Sequence, residues 1–424
     1  MKLRRSLGLF TLTLYGIGII LGAGIYSLIG IGAGLAGNML WLSFIVAGTI
    51  AAFSAMSYAE LSSMFSRSAA EYTYSRNAFK KEWLAFLTEW VMLIGSVVSA
   101  AVVALAFGGY LSFLSGANPA VLAVFLIAAC SAISYLGIRE SAIFNDIGSV
   151  IEVAGLVIVI VIGFFFNSHP THFDPFQVPS GGLFSVLAAA GIVYFAYIGF
   201  ESMVNLSEEV KDSKRVMPKA IIISLVVCTI LYILVSFSSL SLLGWQGLAA
   251  SEAPLSSAVE QAVPGIDVLI SFIALFATGG TVLVILIGAS RMLYGISNSG
   301  SLPSLFSNVG YRRTPHFAIL ATGMAAAAFA VFGNLKSIAQ LTDLGIFIAY
   351  LFVNLSLIAL RRSSLRRGFR SLTFRSIPVL AVLGAVSSIV MFSTFGSSVW
   401  SIELQIILLG IIVFFVYRLR RRQG

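Results

Sequence analysis

The stretch Gly16–Tyr26, GIGIILGAGIY, lies inside an apolar run from about Leu9 to Ile31. Such a run can cross a bilayer, because roughly 20 helical residues rising about 1.5 Å each span the ~30 Å hydrocarbon layer. Gly16, Gly18, Gly22 and Gly24 crowd into it. A glycine costs about 1 kcal/mol in a helix interior relative to alanine, so Gly22-Ala23-Gly24 marks a place where the helix can open and leave N–H and C=O groups unpaired. In hydrocarbon each such group costs several kcal/mol, and an opening needs a ligand, water or enclosing protein around it. Close helix packing through small residues accounts for the same glycines. The segment alone leaves both readings open.

Outward from this stretch, apolar runs recur through all 424 residues; 58% of the chain is hydrophobic and only 10% charged. This is the composition of a polytopic membrane protein. The start, MKLRRSLGLF, has a basic flank like a secretory signal, but the apolar run is too long and ends in no small-residue cleavage site, so it is retained as the first span. Cys130 and Cys228 sit in apolar runs and read as small packed hydrophobes. His169, His172 and His316 fall in connections or at a span's edge, so no buried histidine cluster for a metal or redox cofactor is expected.

Spans are predicted at 9–32, 40–64, 83–110, 119–137, 143–166, 184–206, 218–243, 267–291, 316–333, 338–360, 376–396 and 400–418, twelve in all. With residues 1–8 as a cytoplasmic tail, Arg67, Arg76, Lys80, Lys81, Arg139, Lys211, Lys214, Arg215, Lys219, Arg312, Arg313, the Arg361–Arg375 cluster and the basic tail 419–424 all fall inside, and only Lys336 falls clearly outside. That bias is the positive-inside pattern. It explains the net charge of +9 as topology and lipid contact rather than nucleic-acid binding. The longest outer connection, 244–266, can form one or two short surface helices, and reads as an ordinary polar loop or a regulatory lid.

The sixth span supplies a partner for the first. GIVYFAYIGFESM, 191–203, is an apolar helix interrupted at Gly199 and followed by Glu201. The first span enters from inside and the sixth from outside, and both interruptions lie at similar depth. Two interrupted, oppositely oriented helices five spans apart are the mark of an inverted-repeat secondary transporter with its site at the midplane. Repeats are expected at 9–166 and 184–360, with 376–418 as an added hairpin. N–H groups freed at Gly22, Ala23 and Gly24 would start the second half-helix, where the macrodipole favours a carboxylate. Carbonyls near Ile19 and Ile20, and at Phe195, Ala196 and Ile198, would accept from an ammonium. An α-amino acid carries both groups. Phe195 is placed either as an aromatic gate over the ligand or as filler of core volume.

ILGAGIY at 20–26, SYAEL at Ser57–Leu61, YFAYIGFE at Tyr194–Glu201, EEVKDSKRVMPKA at Glu208–Ala220 and GASRMLYGISNSGSLP at Gly288–Pro303 together resemble the amino acid–polyamine–organocation family of permeases, prokaryotic branch, over nearly the whole chain. The resemblance implies an all-α polytopic membrane protein of twelve transmembrane helices, a 5+5 inverted repeat with helices one and six broken, and no cofactor. It implies the carboxylate on Gly22–Gly24, the amine on Ile20, Phe195 and Ile198, and Glu201 holding the broken sixth helix. Two departures stand out. Where many members have P-x-A-G-G-x-Y after the second span, this chain has SRSAAEYTY, Ser66–Tyr74. Where proton-coupled relatives can carry a lysine in the fifth span, Glu152 stands, and Thr278 and Gly279 match the eighth-helix side of that pocket.

The expected function is proton-coupled uptake of neutral amino acids across the plasma membrane by a monomer or weak homodimer with both termini cytoplasmic. An ion-independent exchanger, a sodium-coupled symporter, an amine carrier and a non-transporting sensor remain as alternatives. Neutral substrates are favoured because the expected site lacks an acid free of other duty, and a buried cation needs a paired charge. Glu152 itself reads as a titrating coupling site, a fixed hydrogen-bond acceptor, a sodium ligand or a residue facing an inner vestibule. No enzymatic constellation is present: no nucleophile–histidine pair, no metal spacing and no phosphate loop.

Overall fold

The computed structural model describes residues 7–22, 24–65, 70–136, 141–166, 174–204, 206, 210–298, 300–310, 314–361 and 368–423. It is an all-α assembly, as backbone confined to hydrocarbon must be when every N–H and C=O is satisfied within its own segment. The helices are α1 Leu9–Leu21, α2 Gly24–Ala36, α3 Leu40–Met64, α4 Ala70–Phe79, α5 Glu82–Ser115, α6 Pro119–Leu136, α7 Ser141–Phe165, α8 Gly182–Val193, α9 Phe200–Val204, α10 Ser213–Ala250, α11 Pro254–Glu260, α12 Ile266–Asn298, α13 His316–Phe332, α14 Leu335–Leu360, α15 Val379–Phe392 and α16 Ser397–Gln423. A two-residue hairpin, β1 Thr373–Phe374 with β2 Ile377–Pro378, precedes α15. Nine stretches among the described residues are long and apolar enough to cross a membrane, and the shorter helices 9–21, 316–332 and 379–392 are also apolar.

The long helix α5 runs through the middle, packed against α12, α14 and α6, while α10 packs along α3 and α1. Helices α15 and α16 lie outside, against α3, α14 and α5. Small residues set several of these approaches: a Cβ on Gly163 would fall 2.4 Å from Ser238 Cβ, and one on Gly384 would fall 2.7 Å from the Asn354 side chain. Asn354 in turn donates to Ser54 Oγ at 3.0 Å and accepts from Ser57 Oγ at 2.6 Å, so a buried polar knot ties α14 to α3.

Two differences from the sequence expectation have clear physical causes. The connection 244–266 is not a solvated polar loop. Gly244 kinks the chain with φ +73°, and Pro254, Leu255, Ser256, Ala258 and Val259 of α11 are buried. Its entry presses on neighbours whose only side chain is hydrogen: a Cβ on Gly30 would lie 2.5 Å from the Leu248 carbonyl, and one on Gly109 would lie 2.7 Å from the Glu252 carbonyl. Arg361, expected in an exposed basic cluster, is instead buried and ion-paired with Glu60. Glu60 Oε2 also accepts from the N–H and hydroxyl of Ser371 at 2.9 and 2.7 Å. The SYAEL glutamate thus fastens α3 to the end of α14 and the strand beyond it. Arg67, Arg139, Arg312, Arg313, His169, His172 and, within the 361–375 cluster, Arg362, Arg366 and Arg367 lie outside the described residues.

Candidate functional site

Helix α1 stops at Leu21, Gly22 takes φ +25° and ψ −130°, and α2 restarts at Gly24. The second interruption is longer. After α8 the chain tightens into a 3-10 turn at Tyr194–Tyr197, becomes extended at Ile198, passes Gly199 at φ +131°, and resumes as α9. Only glycine adopts that φ without strain.

The two interruptions are in direct contact. A Cβ on Gly24 would stand 2.4 Å from Ala196 Cα, and one on Gly199 would stand 2.7 Å from the Ile19 carbonyl oxygen. Ile19, Ile20, Gly22, Gly24, Ala196, Ile198 and Gly199 are therefore brought to one place; Ala23 lies outside the described residues. Phe195 is buried beside them.

Not all the backbone groups expected to be free are free. The Gly22 N–H still donates to Gly18 O at 2.9 Å as the last bond of α1. The Phe195 carbonyl accepts from Ile198 N at 3.2 Å, closing the 3-10 turn. The Gly22 N–H and the Phe195 carbonyl thus already hold backbone bonds, because a tight turn reuses groups that a simple opening would release. Carbonyls 20 and 196 do point away from their own helices, and both lie within reach of one hydroxyl: Tyr232 Oη is 2.8 Å from Ile20 O and 2.7 Å from Ala196 O. A phenol has one proton to donate, so it serves one carbonyl at a time.

Tyr232 ends a stripe on α10 that the sequence analysis does not single out. Ser224 Oγ donates to Thr13 O at 3.0 Å, Cys228 Sγ reaches Ile17 O at 3.8 Å, and Tyr232 follows at Ile20. Positions four apart share one helix face, so α10 offers a polar hydrogen to successive turns of α1 up to the break. The signal was the S-x3-C-x3-Y spacing inside an apolar run. Tyr232 also packs edge-on to Tyr197 at 5.2 Å and tilted to Phe44 at 5.4 Å.

Glu201 holds the second break through one oxygen, Oε2, which accepts from Gly199 N at 2.9 Å and from Tyr350 Oη at 2.7 Å. Glu152 is buried on the face of α7 that meets α1. Ser149, one turn before it, abuts Gly18, and Gly155, one turn after, abuts Tyr26 Oη and Ile273. Its backbone carbonyl accepts from Tyr26 Oη at 3.2 Å, while its Oε2 has no partner. Thr278 is turned onto its own helix, donating to Ala274 O at 2.6 Å. Gly279 faces Phe107 and Leu126, not the break; the α12 hydroxyl beside Gly22 belongs to Thr281, whose Oγ1 would lie 3.2 Å from a Cβ there. Helical phase explains the difference, since 279 and 281, two residues apart, lie on opposite sides of α12, whereas 278 and 281, three apart, share a face.

A further acid was missed. Asp343 on α14 is fully buried with neither carboxyl oxygen partnered. Its signal was a lone acid in an apolar run. Among the described residues, no three His, Cys, Asp or Glu side chains converge on a metal-sized space.

Residues 7–417 match the family model described as amino acid permease. The branched-chain amino acid permease BcaP of Bacillus subtilis is 32% identical over 98% of this chain and 93% of its own. The methylthioribose transporter of the same organism is 33% identical over 98% and 94%. The vacuolar cationic amino acid transporter 2 of Arabidopsis thaliana is 29% identical over 85% of this chain and 60% of its own. Taken with the multipass helical fold, these matches place the chain in the amino acid permease family, as a membrane transporter of small solutes.

Proposed function

We propose that the protein carries neutral α-amino acids into the cell across the plasma membrane by alternating access, drawing on a proton gradient. The observation that supports this most strongly is the meeting of two helix breaks, Gly24 on Ala196 and Gly199 on Ile19, deep in the bundle. The order of elements supports a 5+5 inverted repeat. A broken helix opens each half (α1–α2, α8–α9), a short helix sits third in each (α4, α11), and α7 and α14 close them. On this reading residues 9–166 and 184–360 are the repeats, 376–418 is an appended hairpin, twelve crossings result, and both termini are cytoplasmic.

The substrate carboxylate would sit at the N-terminus of α2, on the Gly24 N–H, where the helix dipole favours an anion. The ammonium would take whichever of the Ile20 and Ala196 carbonyls Tyr232 is not serving. Phe195 would close over the ligand, and Ile198 and Ile19 would complete its wall. Neutral, apolar substrates fit the small and aromatic surroundings, and the branched-chain permease is a relative across 98% of the chain. Glu152 is the proposed coupling site. An unpaired carboxylate in hydrocarbon is costly, and its free oxygen lies beside the face of α1 that leads to the break.

The test is uptake of a radiolabelled amino acid panel in proteoliposomes, with an imposed pH gradient, with and without sodium. Wild type is expected to accumulate leucine-like substrates with the proton gradient alone. Glu152→Gln keeps the shape of the neutral acid but cannot titrate, and is expected to retain counterflow while losing gradient-driven accumulation. Unchanged pH-driven accumulation by that variant rejects Glu152 as the coupling site. Uptake flat across pH but rising with sodium rejects proton coupling.

A further inference from the structure

The segment Ser66–Tyr74 departs from the family pattern, and its described part, from Ala70 on, opens α4 with an acid facing the core. Glu71, 4% exposed, and Glu89 on α5, 7% exposed, are buried where α4 packs on α5, close enough for the charge of one to act on the other. Tyr58 Oη on α3 donates to Glu71 Oε1 at 2.8 Å. Glu89 Oε2 and the fully buried Tyr74 hydroxyl of α4 have no partner. Ser75 and Thr88 face each other at 3.4 Å beside them. No role in the site described above uses this nest.

Two carboxyl groups in a dry site cannot both ionise, because each charge raises the cost of the other and neither is hydrated. Among the described residues, two basic groups on the neighbouring elements are committed elsewhere. Arg76 of α4 is exposed and lies 3.7 Å from Glu82, and Arg361 at the end of α14 is paired with Glu60. The groups facing the acids are Tyr58 from α3, Tyr74 from α4, the Tyr72 N–H toward Glu89, and, at longer range, Glu201 from α9. From α14, Tyr350 reaches the nest only through Tyr58, its ring edge-on at 5.4 Å.

We propose that Glu71 and Glu89 hold one proton between them, a proton-binding site separate from Glu152. It is linked to the second break, since Tyr350 donates to the Glu201 oxygen that holds Gly199. A movement of α4 away from α3 would admit water, which would take the proton and leave both carboxylates hydrated. The site then reports whether α4 is seated against Tyr58 of α3. This link to transport rests on the proton-driven reading above; the shared proton does not.

Burial, and then the charge of Glu89, push the Glu71 carboxyl from its ordinary 4.5 up to about 8. The folded chain therefore binds a proton that the unfolded chain has released between those values, and this contribution to stability is lost as pH rises through about 8. Thermal melting of the purified full chain in detergent, followed from acid to alkaline pH, should show that loss. Glu71→Gln and Glu89→Gln, which copy the neutral form, should flatten it and remove a protonated-carboxyl stretch from the infrared spectrum at neutral pH. Tyr58→Phe keeps both acids but deletes a bond to Glu71 that favours ionisation, and should move the loss to higher pH. Glutamine variants that keep the wild-type pH dependence and infrared band, or a Tyr58→Phe protein whose loss stays in place, overturn the proposal. If wild type shows no pH-driven accumulation, the transport reading fails, and melting and infrared data still decide the proton pair.

Discussion

Replacing Gly199 by alanine tests whether the two breaks are held by backbone contact. At φ +131° an L-residue is strained, at a cost of about 1–3 kcal/mol. The new methyl would also fall 2.7 Å from the Ile19 oxygen and 3.0 Å from its carbon, both backbone atoms that cannot swing aside. Relieving that contact requires α1 and the second break to part by roughly 0.7 Å to regain ordinary contact, and overpacking of this kind typically adds about 1–3 kcal/mol. A combined loss of at least about 2 kcal/mol opposes the closed arrangement roughly 30-fold. The readouts are the melting midpoint in detergent and substrate counterflow in proteoliposomes. Gly295→Ala on α12 is the control, since nothing lies within 4 Å of a Cβ there and alanine favours helix. The expected result is a lower midpoint and severely reduced counterflow for Gly199→Ala, with neither change in the control. A Gly199→Ala protein that melts and exchanges like wild type would refute the reasoning.

Tyr232→Phe keeps the ring against Tyr197 and Phe44 but leaves the Ile20 and Ala196 carbonyls without their donor. A destabilisation of about 1–3 kcal/mol is expected. Saturating substrate should raise the variant's melting midpoint by more than it raises that of wild type, because an ammonium can fill both acceptors; an equal or smaller rise counts against amine binding there. For the buried pair Glu60–Arg361, removing either charge alone strands its partner, at about 3–5 kcal/mol. A double-mutant cycle of Glu60→Gln and Arg361→Met, read by melting, should find the double variant more stable than the sum of its singles implies, and simple additivity would show that the pair is not coupled.

The membrane class, the all-helical fold and the places where α1 and α8 give way were legible in the sequence, because each depends on local properties. Apolar length fixes a span, and glycine within it fixes where the helix can open. The positions of Gly22–Gly24 and Gly199 needed no knowledge of their neighbours. What the freed groups do was not legible. Gly22 keeps its helical bond and Phe195 closes a turn, because hydrogen-bond reuse depends on the dihedral angles actually adopted. Which neighbours Gly279 meets was not legible either: it faces Phe107 and Leu126 while Thr281 lies beside Gly22, because alignment by motif does not carry rotation. Tyr232, Asp343 and the Glu71–Glu89 pair were invisible for a related reason. Tyr232, Asp343 and Glu89 are single polar residues in apolar runs and Glu71 stands in a polar connection, so the meaning of each comes from what another helix sets beside it, 212 positions away for Tyr232 and Ile20. Sequence decides what a bilayer will accept and where a helix can break, whereas only packing decides which buried polar atoms meet, because a polar group in hydrocarbon takes its partner from whichever helix the fold sets beside it.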